Sequence, residues 1–153
     1  MRLNHEQGLL MYEYDAFIVY SSVDEDRLWV HYKLVDQLEK VYGFKLCIHQ
    51  RDFLGGNNII DNVEDAINTS RKVVLIISGN FVDSHWCCEE VNMAASIDMG
   101  KFVLVMFKDI FLRNVDVPTM VRHLLETRTY IEWNENEVAQ QLFWRKMRRA
   151  LLS

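Results

Sequence analysis

The chain has 153 residues, with 17 Lys and Arg against 22 Asp and Glu, a formal charge of −5. Half the residues are hydrophobic and a quarter are charged, a balance that excludes disorder, collagen-like repeats and a disulfide scaffold. The negative charge argues against general nucleic-acid binding, which needs a basic face. No apolar run approaches the ~20 residues that span a bilayer, and Met1 to Gly8 carries an acid and no long apolar core, unlike a signal peptide. Three cysteines, Cys47, Cys87 and Cys88, form no framework spacing and suit a reducing, cytosolic compartment.

In chain order, short β-rich runs alternate with segments of helical period. The runs are Tyr14 to Tyr20, Phe44 to His49, Val73 to Ser78, Phe102 to Phe107 and Thr129 to Trp133. Three are nearly unbroken in apolar residues, as expected of parallel strands covered on both faces. After the first run, Leu28, Tyr32, Val35, Leu38 and Tyr42 recur at three and four and predict one helix face. Ile60, Val63 and Ile67 predict a second face, and Val138, Leu142, Met147 and Leu151 a last one. Helix starts are expected at a Ser22-to-Glu25 capping box, at Asn58, at Ser84 and at Asn134. The segment from Asp109 to Glu126, which holds the only proline, gives no clear period. Strand then helix, five times over, predicts an α/β fold of flavodoxin-like type: a five-stranded parallel sheet in the order 2-1-3-4-5 with helices on both faces.

In such folds function sits in loops beyond the carboxyl ends of the strands. Neither glycine-rich phosphate pattern is present, and Asp24, Glu25 and Asp26 after the first strand would repel phosphate. A receiver-type phospho-acceptor carboxylate is missing at the end of the third strand, where Ser78 stands. Cys47 and His49, with His85, Cys87 and Cys88, have zinc-ligand chemistry but no standard ligand spacing, so no metal is expected. A helix N-terminus can lower the pKa of a thiol such as Cys87; the simpler reading is a small buried residue in the first turn.

The loop after the second strand is the most informative. In Gln50-Arg51-Asp52-Phe53-Leu54-Gly55-Gly56-Asn57-Asn58, two large apolar residues stand between charges and a double glycine. They either anchor a protein partner or fold back as a lid on the core. Arg51 and Asp52 either pair at the loop stem or face the partner.

These residues carry a resemblance. Tyr14-Asp15-Ala16-Phe17-Ile18-Val19-Tyr20-Ser21 resembles the first conserved box of the Toll/interleukin-1 receptor (TIR) domain. Arg51-Asp52-Phe53-Leu54-Gly55-Gly56 is similar to its second box, the BB loop, and Phe143-Trp144 to its third. Ser70 to Val73, Phe81 to Cys87 and Arg128 to Trp133 resemble Toll-like receptor TIR domains in particular, and the likeness runs from Tyr14 to Leu152. It implies a TIR domain over residues 14–152, preceded over 1–13 by a leader or juxtamembrane-like linker in which Leu9, Leu10 and Met11 pack on the domain or stay mobile.

The resemblance implies a signalling interaction module on the cytoplasmic side of a membrane receptor of innate immunity. It would self-associate and recruit TIR-containing adaptors through Arg51, Asp52, Phe53, Leu54, Gly55, Gly56 and Asn57, with dimer contacts from Cys87, Cys88 and Asn92. No cofactor is implied on this reading. Gly55 departs from the family, whose loop usually has proline there; glycine leaves the chain freer, so a more mobile loop is expected. The alternative is an NAD glycohydrolase of the TIR type. Some TIR domains split NAD with a glutamate four residues after the position matched by Trp86, which is Glu90; Glu89 beside it points about a third of a turn away.

Overall fold

The computed structural model describes the backbone of residues 2–4, 9–53, 55–56, 58–110 and 116–153, with side chains from residue 12 onward except Gln50. Leu54 and Asn57, two of the loop residues singled out above, lie outside the described residues. Arg2–Asn4 and Leu9–Met11 form a two-stranded antiparallel pair ahead of the domain, a feature the sequence did not predict.

Five strands build the sheet: β1 (Tyr14–Val19), β2 (Leu46–Ile48), β3 (Ser70–Ile77), β4 (Phe102–Met106) and β5 (Ile131–Glu132). All pair in parallel in the order β2-β1-β3-β4-β5, as expected. Alternation along the strands sorts side chains onto two faces. Phe17, Val19, Val73, Leu75, Ile77, Leu104 and Met106 point to one core, and Ala16, Ile18, Val74, Ile76, Val103 and Val105 to the other.

The helices divide between these faces. α1 (Asp24–Trp29) continues as wider π turns over Val30–Leu34 and Asp36–Val41. It ends at Gly43 (φ +77), where the Phe44 N–H donates to the Leu38 carbonyl. α7 (Glu137–Leu152) packs beside it, and both cover the Ile18–Val74 face. The other face is covered by α3 (Ile59–Thr69), α4 (Gly79–Asp83), α5 (His85–Ile97) and α6 (Thr119–Thr127). α6 lies in the segment whose period was unreadable.

Three helix faces differ from the sequence expectation. In α1 and its π turns the buried stripe is Trp29, Val30, Leu34 and Leu38, while Leu28 and Tyr32 face solvent. The π turns widen the period beyond 3.6 residues, so i, i+4, i+8 becomes the core-facing spacing. In α3, Val63, Ala66 and Ile67 are buried and Ile60 is exposed. In α7, Phe143, Met147 and Leu151 are buried and Val138 and Leu142 are exposed. The aromatic anchor decides that helix: Phe143 meets Trp133 (5.0 Å) and Trp29 (6.1 Å), forcing the opposite face outward.

Caps also moved. Asn58 and Ser84 cap α3 and α5 as expected, accepting from the Ile60 and Cys87 N–H groups. The Ser22–Glu25 box does not form. Instead Ser21 Oγ accepts from the Val23 N–H, and Val23 occupies the cap position. Asn136, not Asn134, caps α7, taking the N–H groups of both Val138 and Ala139.

Candidate functional site

Beyond the carboxyl ends of β1 and β2, against the start of α5, lies a cleft of about 250 Å³ lined by Tyr20, Ser22, His49, Ser84, Trp86 and Glu90, with Ile18 and Cys87 behind. Tyr20 directly follows β1, His49 directly follows β2, and the first two turns of α5 deliver Trp86, Cys87 and Glu90. Of the adjacent acids, Glu90 is the one inside, only 4% exposed, while Glu89 faces solvent beside His85.

Glu90 accepts no hydrogen bond among the described residues. Burial pushes its carboxyl up to about 8. Tyr20 is pushed to about 12, first by burial and then by Glu90, and its hydroxyl lies 2.9 Å from His31 Nε2. Burial lowers the pKa of His49 and of His31. At neutral pH the cleft is therefore lined by neutral groups. The Trp86 indole N–H at its edge is buried without a partner.

Under the cleft, buried Asp26 accepts hydrogen bonds from Ser78 Oγ and from Asn80 Nδ2 (2.9 Å), tying α1 to the end of β3. Ser78 Oγ in turn accepts from the Phe81 N–H. Asp26 thus turns inward, away from the acidic surface that the sequence implied, and Ser78 is a helix cap.

The loop after β2 begins with one turn, α2 (His49–Asp52). Its stem is a charged clamp. Arg51 donates to both Glu39 carboxylate oxygens (2.7 and 2.9 Å), to Asp52 (3.0 Å) and to the Leu46 carbonyl (2.8 Å). Asp52 accepts from the Ile48 N–H (2.8 Å). These acids hold the guanidinium firmly protonated. Phe53 folds back: its ring stacks on His49 (4.5 Å) and Phe17 (5.9 Å) and packs on the core. The lid alternative is the one realised. Asp52 is likewise committed to the stem, so exposed Gly55 and Gly56 (φ +84) form the described part of the tip. A Cβ at Gly55 would meet nothing within 4 Å.

Cys87, expected as a dimer contact, is 2% exposed, so its side chain faces the core and not a partner. Burial also pushes its thiol up to about 12, against the lowering a helix start would give. Cys88 is half-buried and Asn92 exposed, so both remain reachable on α5. Of the box residues, Phe17 and Phe143 are core. Tyr14 is half-buried, Asp15 accepts from the Lys45 N–H (2.8 Å), and Trp144 stacks edgewise on Phe143 (4.9 Å). Tyr20, His49 and Trp86 are cleft neighbours of Glu90, and Glu39 is the partner of Arg51, without any of these pairings being marked in the sequence. The strand-end rule could have found Tyr20; Glu39 lies on another element with no local signal.

The family model for the TIR domain matches residues 13–152. The chain belongs to the TIR domain family. This TIR domain is 38% identical over 147 residues to Toll-like receptor 4 of Pan paniscus, covering 91% of the chain and 17% of that receptor. It is 38% identical over 145 residues to Toll-like receptor 13 of Mus musculus, covering 90% of the chain and 14% of the receptor. The chain thus spans less than a fifth of these relatives. Among solved structures it is similar to the TIR domain of the Toll-related receptor TRR-2 of Hydra magnipapillata, with TM-score 0.74 and 26% identity, covering 92% of this chain and 99% of that one. It is also similar to a metazoan TIR-STING receptor of C. gigas, solved with 2′,3′-cGAMP, with TM-score 0.65 and 26% identity over 94% of this chain and 41% of that one.

Proposed function

We propose that this TIR domain is a signalling interaction module, associating with like domains and recruiting TIR-containing adaptors on the cytoplasmic side of a Toll-like receptor. The observation that carries the reading is the clamped loop after β2. Arg51 bridges Glu39, Asp52 and the Leu46 carbonyl at its base, Phe53 pins its rear, and Gly55 and Gly56 stand free at its tip. A stem fixed this well spares much of the entropy cost of docking, and the glycine tip permits close backbone approach. Cys88 and Asn92 on α5 supply a second contact. A single pair binds weakly, and clustering raises the effective concentration.

Sedimentation velocity over a concentration series tests it. The wild-type domain self-associates, and Gly55→Arg, at an exposed position with open space around the Cβ, weakens association while leaving the fold intact. Equal association by both would overturn the role of the loop.

A second reading is favoured by Glu90, a buried acid without a hydrogen-bond partner among the described residues, in a cleft beyond the carboxyl ends of β1 and β2. On this reading NAD is a substrate: its nicotinamide–ribose bond breaks with the electron pair leaving on the nicotinamide nitrogen, water adds to the ribose carbon, and a proton is released. Ionised Glu90 would stabilise positive charge developing on the ribose. With a pKa of about 8, only about one Glu90 in ten is ionised at pH 7, so turnover would rise with pH through 8. The cleft, about 250 Å³, is smaller than the ~300–1,000 Å³ usual for ligand pockets, so it suits the nicotinamide end alone. Nicotinamide release that disappears in Glu90→Ala supports this reading, and no release at any concentration or pH removes it.

A further inference from the structure

The outward face of α7 is unlike the rest of the molecule. At 100° per residue, Val138, Leu142, Arg145, Arg149 and Leu152 fall on one stripe, flanked by Lys146 and Arg148. All seven are exposed. From residue 138 to 153 there is no acid, so four of the 17 basic residues stand on this helix while all 22 acids lie in residues 1–137. Among the described residues none of the four cations pairs with a carboxylate; only Arg148 has a partner, lying over the Tyr42 ring at 5.9 Å. A concavity bounded by Arg145, Arg148, Arg149, Leu152 and Ser153 opens at the end of the helix.

We infer that this face of α7 docks on an anionic lipid surface. Cations interleaved with exposed aliphatic groups on one helical face suit a headgroup layer: the arginines meet phosphate and carboxylate groups while Leu142 and Leu152 reach the acyl boundary. The strongly acidic remainder of the domain is repelled by the same surface and turned outward, so the charge asymmetry sets one orientation. Placement agrees. Arg71 donates to the Ser153 carbonyl (2.9 Å) and reaches Asp15 (3.8 Å), so the basic end of α7 sits beside the start of β1, where the chain enters the domain. If this is a receptor tail, that end is the one tethered to the bilayer. The placement toward the bilayer rests on the receptor reading, whereas binding of free vesicles does not, so the two fail separately.

The test is co-sedimentation of the full chain with phosphatidylcholine vesicles with and without phosphatidylserine. Binding should require phosphatidylserine and weaken as salt is raised. Arg145→Gln with Arg149→Gln should lower partitioning on the order of 30-fold, at the usual contribution of each cation near a charged membrane. The paired Leu142→Ser and Leu152→Ser variant should lower it on the order of tenfold without changing the salt slope. All these positions are exposed, so circular dichroism should match wild type. Equal binding to both vesicle types, or binding unchanged in the arginine variant, would overturn the inference. So would capture of polyglutamate with no vesicle binding, which would assign the face to an acidic protein surface instead.

Discussion

Replacing Glu90 by Gln should stabilise the domain, and by more as pH rises. The carboxyl ionises near 4.5 when exposed and at about 8 in the folded protein. Between those values the folded state holds a proton that the unfolded state releases, so wild-type stability falls as pH rises. Integrated from low pH, the loss is about 1 kcal/mol at pH 5, about 3 kcal/mol at pH 7 and about 5 kcal/mol at pH 9. Gln keeps the shape and cannot ionise, so the Glu90→Gln variant should exceed wild type by those widening margins. Urea unfolding at several pH values, read as midpoint at constant m-value, measures the gap directly. A gap that stays flat from pH 5 to 9 would refute a buried, unpaired Glu90.

Three further outcomes follow from the geometry. Gly56→Ala should cost roughly 1 kcal/mol, because its φ of +84 suits no side chain; Gly55→Ala, with open space around it, should be within ~0.5 kcal/mol of wild type. Thermal melts of the pair separate the two glycines, and equal costs would contradict the loop geometry. Met147→Ala should cost about 2–5 kcal/mol by leaving a core cavity, whereas Leu142→Ser should be near neutral; urea titration that ranks them the other way would mean that α7 is rotated. Asp26→Ala, which strands the Ser78 hydroxyl and the Asn80 amide, should lose about 2–3 kcal/mol, and unchanged stability would show that the tie between α1 and β3 is dispensable.

The sheet was legible in the sequence because doubly covered strands such as Val73 to Ile77 leave an apolar run that no surface element imitates. Strand ends were less so: β5 keeps only Ile131–Glu132 of the expected run from Thr129 to Trp133, although the Trp133 N–H still donates to the Met106 carbonyl (3.0 Å). Helix rotation failed where two stripes compete. Val138 and Leu142 have the same chemistry as Leu151, and only the aromatic contacts of Phe143 with Trp29 and Trp133 choose between them. In the site, Glu90 was identified through the family resemblance, but its burial depends on packing against β1 that no local pattern reports. Phe53 was undecidable in sequence because a ring that anchors a partner and one that closes a core have the same neighbours. The stack on His49 and Phe17 resolves its position.

Recruitment by a loop whose tip is open and whose stem is clamped should depend on bringing two domains together. Fusing the domain to an inducible dimeriser allows capture of a TIR-containing adaptor to be measured before and after forced pairing. Capture should appear on pairing and be lost in Gly55→Arg while the amide spectrum stays folded. Capture that is indifferent to pairing, or undiminished in Gly55→Arg, would contradict recruitment by this loop.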